Sequence, residues 1–187
     1  MFGVIVSPLA YLRIKHPSKW VLDWLYPLIF AALSVGLIWK FGRPGLIAGQ
    51  SGLLDRLILV CSIMPGFYIA ALAAIATFNR PDIDDVMPDP TPTLKVEIGG
   101  RPNDIDLTRR RFLAYLFAFL CWESIALLIA CVFAGITAAG IMAALGSCAI
   151  VAKYAFLFVL LLLFWQLVFA TCLGLYYLGD RLNRPTY

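Results

Sequence analysis

The chain has 187 residues, 62% of them hydrophobic and 14% charged, with a net charge of +4 and a mean hydropathy of +0.88. Soluble domains carry roughly 25% charged residues, so this composition excludes an ordinary soluble domain and points to an integral membrane protein. The small positive charge fits attraction to anionic lipid and leaves no footprint for direct nucleic-acid binding.

Residues 1–19, "MFGVIVSPLAYLRIKHPSKW" with Trp20, place an apolar stretch ahead of the basic residues. That order is the reverse of a cleavable signal peptide, and the stretch is too short to span. The expectation is an interfacial segment with Arg13, Lys15 and Lys19 among lipid headgroups.

A helix needs about 20 apolar residues to cross the hydrocarbon core. Four segments qualify: Trp20–Trp39, Leu57–Phe78, Phe112–Phe133 and Ala152–Leu178. The first is the weakest, with Asp23 near its start and Pro27 a turn later. Asp23 is expected at headgroup level. The fold class predicted is an all-α four-transmembrane-helix bundle: transmembrane helices 1 and 2 over 20–78, a cytoplasmic insert over 79–111, helices 3 and 4 over 112–178 and a tail over 179–187. Along the second span, Ala70, Ala73, Ala74 and Thr77 form a small-residue stripe that permits close helix approach.

The insert begins "NRPDIDDVMPDPTP", acidic and too rich in proline for a regular helix. In "TLKVEI", Leu94, Val96 and Ile98 alternate with charged residues at strand period. "GGRPN" supplies a turn, and Ile105 and Leu107 resume the alternation in "DIDLT", so a β-hairpin is predicted. A lone hairpin is marginal in water. Its apolar face, Leu94, Val96, Ile98, Ile105 and Leu107, must therefore pack on the spans, another subunit or a partner, and is a candidate partner-binding surface for a cytoplasmic protein. At the junction "LTRRRF", Thr108 is placed to cap the third helix. Arg109, Arg110 and Arg111 oppose the helix dipole, at roughly 0.3–1 kcal/mol each, and are offset by attraction to anionic lipid at roughly 1 kcal/mol each. They are expected at the membrane surface.

Glu123 lies near the centre of the third span, about 16 Å deep at ~1.5 Å per residue. Gln166 lies about 18 Å deep in the fourth span, and Pro65 and Gly66 sit at a similar depth in the second. These four residues form a candidate midplane polar cluster. A charged carboxyl there costs about 2.5–3.5 kcal/mol on insertion scales. A neutral one can donate to Gln166 or to a carbonyl near Pro65 and clasp helices together. The alternative is a proton- or ion-responsive group facing a pore or a subunit interface. The segment "AGITAAGIMAALGSC", 134–148, carries no charge and reads as an outer turn, a shallow interfacial helix or a re-entrant loop.

Eleven basic residues (Arg13, Lys15, Lys19, Arg80, Lys95, Arg101, Arg109, Arg110, Arg111, Arg181 and Arg184) fall on one side, against Lys40, Arg43, Arg56 and Lys153 on the other. The positive-inside rule then makes both termini and the insert cytoplasmic, in a bacterial inner membrane. The five cysteines show no CxxC spacing, so no disulfide framework or metal site is expected. No nucleotide, hydrolase or metalloprotease motif is present, and neither an enzyme nor a cofactor is expected.

The four-span layout, with "PTPTLKVEIGG" in the central loop and "LTRRRFLAYLF" after it, resembles small membrane proteins of bacterial anti-phage defence systems, of the Kiwa membrane subunit or retron-associated effector type. The resemblance implies phage sensing at the inner membrane, or membrane disruption that stops growth. Two functions follow as expectations. One is an oligomeric sensor or effector subunit coupling membrane state to a cytoplasmic partner. The other is a small oligomeric channel with Glu123 at the pore or subunit interface.

Overall fold

The computed structural model describes residues 7–42, 47, 52–77, 83–98 and 101–181, without the side chains of 97, 98, 101, 102, 180 and 181. A 3-10 helix, Ser7–Arg13, precedes α1, Val21–Phe41. Then come α2 (Leu53–Thr77), β1 (Thr93–Ile98), β2 (Arg101–Asp106), α3 (Arg109–Leu145) and α4 (Ala149–Tyr176).

Three stretches are long and apolar enough to cross a membrane: Val21–Phe41, Leu53–Thr77 and the 71-residue Arg109–Gly179. The last contains both α3 and α4. It doubles back through a 3-10 turn at Gly146–Cys148, where Gly146 has φ +50°, a conformation glycine adopts without steric cost. The reversal brings the Phe112 and Tyr177 rings to 5.3 Å of each other. Gly174 lets the two helices close: a Cβ there would lie 2.9 Å from the tip of the Phe117 ring.

α3 continues past the expected span end at Phe133. It runs 37 residues to Leu145, about 55 Å at ~1.5 Å per residue, so 134–145 is neither a turn nor a loop. Alanine, leucine and methionine are strong helix formers, and the hydroxyl of Thr137, the one polar side chain among them, donates back to the Phe133 carbonyl within the helix. α3 is the centre of the fold. α2 and α4 pack on it, and α1 packs on α4. The Trp165 indole donates to the Ser34 hydroxyl at 3.1 Å across the α1–α4 contact. The small-residue stripe of α2 does not serve this packing, since Ala70, Ala73 and Thr77 are exposed.

α1 opens with a π-helical turn, Val21–Leu25. Pro27 has no N–H for the Asp23 carbonyl four residues back. The chain is wound wide ahead of it, and the Tyr26 N–H reaches the Val21 carbonyl.

The hairpin forms, antiparallel, with Leu94 opposite Ile105 and Val96 opposite Asn103. β2 begins at Arg101, so three residues of the expected turn "GGRPN" belong to the strand. Thr108 caps α3 as expected, its hydroxyl accepting from the Arg111 N–H. The acidic stretch before the hairpin exposes Asp84, Asp85 and Asp89 but buries Ile83 and Met87. One continuous apolar core runs from Cys131 and Leu127 through Phe119 and Tyr11 to Leu94, Leu107 and Met87. The hairpin is thus packed onto the helices by its own chain.

Candidate functional site

The N-terminal segment joins the hairpin to the helices. The Lys15 N–H donates to the Thr93 carbonyl at 2.9 Å, and the Thr93 N–H returns to Lys15 at 3.1 Å. Four residues earlier, Tyr11 is fully buried and its ring stacks on Phe119 of α3 at 5.0 Å. The segment is therefore packed against α3. Tyr11 and Ile14 supply the burial, while Arg13 and Lys15 stay exposed.

Tyr11 donates to Asp23 Oδ1 at 3.0 Å, and Lys19 bonds the other carboxylate oxygen. The Lys19 ammonium also lies 4.0 Å from the centre of the Tyr11 ring. Asp23 is only 2% exposed. Asp23 and Lys19 are thus a buried ion pair one helical turn apart. Burial, then the Asp23 carboxylate, hold the Tyr11 phenol well above the usual tyrosine range, so it remains the donor. Burial pulls the Lys19 ammonium below the usual lysine range, and the Asp23 carboxylate opposes that pull.

Glu123 lies one turn beyond Phe119 on the same face of α3. It is 3% exposed. Its carboxyl lies within electrostatic range of the Asp23 carboxylate. Both Glu123 oxygens lack a hydrogen-bond partner among the described residues, and so does Gln166 Nε2. Glu123 and Gln166 are both buried, but the clasp expected between them is not made. Depth along two helices fixes height and leaves rotation undetermined. Pro65 is half-buried and does not break α2, and Gly66 is exposed. Tyr11, Cys61 and Tyr68 also lie within electrostatic range of Glu123. The Tyr68 hydroxyl meets Thr171 at 2.7 Å, linking α2 to α4. The i,i+4 spacing of Lys19 and Asp23 was the sequence signal for the ion pair. Nothing local marked Tyr11.

The hairpin residues divide. Leu94 and Leu107 are buried in the protein's own core and offer no partner surface. Val96 and Ile105 are half-buried, and the side chain of Ile98 lies outside the described residues. Outward-facing groups are Lys95, Asn103, Asp104 and Asp106. Arg110 is likewise not simply at the membrane surface. Its guanidinium grips both Asp84 oxygens, at 2.7 and 3.0 Å, and the Ile75 carbonyl near the end of α2 at 2.6 Å. Helix C-termini leave such carbonyls without a partner. The bond from Arg110 holds the Asp84 carboxyl below the usual carboxylate range. Arg109 is half-buried and Arg111 exposed.

All five cysteines are free thiols. Among the described residues, no three His, Cys, Asp or Glu side chains are grouped to hold a metal ion. Compared with known proteins, the chain matches no family model, no curated protein and no solved structure.

Proposed function

We propose that the protein is a sensor or effector subunit of a membrane, with four crossings, that couples the state of its buried acid site to a cytoplasmic partner through the insert. The observation that carries this is the N-terminal segment, which bonds Asp23 through Tyr11 and the hairpin through Lys15. A change at the Asp23–Glu123 level reaches the hairpin through eight or so residues of packed chain. The N-terminal segment, the insert and the tail together carry eleven of the fifteen basic residues, which supports a cytoplasmic placement for them in a bacterial inner membrane. Anti-phage defence is the setting that the sequence resemblance suggests, and phage challenge is its assay.

Partner contact in this reading uses the outward hairpin groups. Capture from nanodiscs is expected for the wild type, as a homo-oligomer with its partner. Lys95→Glu with Asp104→Lys should abolish partner capture and leave the oligomer intact. Capture indifferent to that reversal contradicts the reading.

One observation favours a second reading. Both Glu123 oxygens are buried without partners, as befits a group that takes up a proton or cation. Four helices are too few to enclose a path, so a channel would need several copies. Proteoliposomes of the wild type should then pass protons or cations, and Glu123→Gln should not. Wild-type vesicles that stay tight eliminate the channel.

A further inference from the structure

Between the N-terminal segment and the opening turn of α1 lies an open cleft of about 460 Å³. Lys15, His16, Lys19, Trp20, Asp23 and Trp24 line it. Its volume is in the range of small-ligand sites. It sits where the span Val21–Phe41 begins, the level at which headgroups lie and indole rings are favoured. Trp20 and Trp24 are 63% and 42% exposed there.

The polar groups are held in advance of any ligand. Lys15 is fixed through its backbone by Thr93. Its side chain pairs with Asp104 at 3.9 Å, with both groups about half exposed, a contact of a kind worth little. Lys19 is fixed by Asp23 and the Tyr11 ring. The carboxylate in the cleft is thus already matched. His16 Nδ1 accepts from the Ser18 N–H at 3.2 Å, which puts the donor of a neutral ring at Nε2. Two ammonium groups and an imidazole donor around a cleft suit a phosphate oxygen. Below them Leu28 is exposed one turn after Trp24, giving an apolar track into the membrane.

We propose that this cleft binds a phosphodiester anion whose source is the headgroup of an anionic phospholipid, with its acyl chains running along Trp24 and Leu28. The proposal rests on the membrane placement and is independent of the coupling to the hairpin.

The test is native mass spectrometry of the full chain, delipidated in detergent and titrated with phosphatidylglycerol or phosphatidylcholine. Inorganic phosphate serves as competitor. One phosphatidylglycerol per chain should bind in preference to phosphatidylcholine and resist millimolar phosphate. Lys15→Ala should weaken it about fivefold, the worth of one basic group at an anionic surface. Lys15→Arg should retain binding, and His16→Ala should weaken it. Arg111→Ala removes an exposed charge near the same end and should change nothing. Equal losses in Lys15→Ala and Arg111→Ala would mean diffuse attraction and overturn the site. Displacement by inorganic phosphate with no preference between the lipids would assign the cleft to a soluble anion and overturn the lipid source. Gel filtration of each variant confirms that it folds.

Discussion

Replacing Asp23 by leucine tests the buried ion pair, and the structure sets the size of the effect. The substitution leaves the Lys19 ammonium, 9% exposed, without its carboxylate and the Tyr11 hydroxyl without its acceptor. Removing one partner of a buried pair costs about 3–5 kcal/mol, and an orphaned hydroxyl adds roughly 1–3 kcal/mol. Lys19 borders the open cleft, so its ammonium can swing toward water and recover part of this. We expect Asp23→Leu to lose about 3 kcal/mol. Lys19→Met should lose a similar amount, because the Asp23 carboxylate keeps only the Tyr11 hydroxyl. Tyr11→Phe should lose about 1 kcal/mol. The double variant Lys19→Met/Asp23→Leu removes both charges together and should recover the charge cost, remaining about 1–3 kcal/mol below the wild type for the orphaned Tyr11 hydroxyl. Reversible unfolding in mixed micelles, read by circular dichroism, completes this double-mutant cycle. A double variant as unstable as the sum of the singles would show that the two charges do not stabilise one another, and the reasoning would fail.

Gly174→Ala should cost about 1–3 kcal/mol, since the added methyl meets the buried Phe117 ring; Phe117→Leu in the same chain should recover part of it, read as thermal midpoints in detergent. Glu123→Gln should unfold within ~1 kcal/mol of the wild type, because no hydrogen bond is lost; a large loss in the same assay would reveal a partner for the carboxylate. The Asp84–Arg110 link gives the insert a pH dependence. The Asp84 pKa is lowered in the fold, so the link contributes in full above the usual carboxylate range and is lost as pH falls through the lowered value. Limited proteolysis after Asp84 should therefore accelerate only in acid for the wild type, and at neutral pH for Arg110→Ala.

The membrane-crossing stretches were legible because an apolar run of about 20 residues has few alternatives. The hairpin was legible from the period-two run Leu94, Val96, Ile98. Thr108 was legible as a cap because a threonine ahead of an apolar run has a local role. The extent of α3 was not, because a helix end is marked by charged or breaking residues and 134–145 has only Thr137 and two glycines to offer. The buried pairing of Asp23 was not legible for a different reason. A lone carboxyl near a span end reads as a headgroup neighbour until its rotation is known, and Tyr11, twelve residues away, fixes that rotation. Glu123 and Gln166 show the same limit: their shared burial was predictable from depth, and their failure to meet was not. Leu94 and Leu107 read as a partner surface because the alternation does not reveal which surface covers it, and both are buried in the protein's own core.

The coupling role of the N-terminal segment is tested most directly by hydrogen exchange in nanodiscs, comparing wild type with Asp23→Asn. The Lys15 and Thr93 amides, which bond each other's carbonyls, should exchange faster in the variant, and the Met87 amide, bonded to Leu107, should follow. Amides in the middle of α2 should keep their protection. If the segment around Tyr11 loosens while Thr93 and Met87 remain as protected as in the wild type, the hairpin does not sense the buried site, and the coupling account is contradicted.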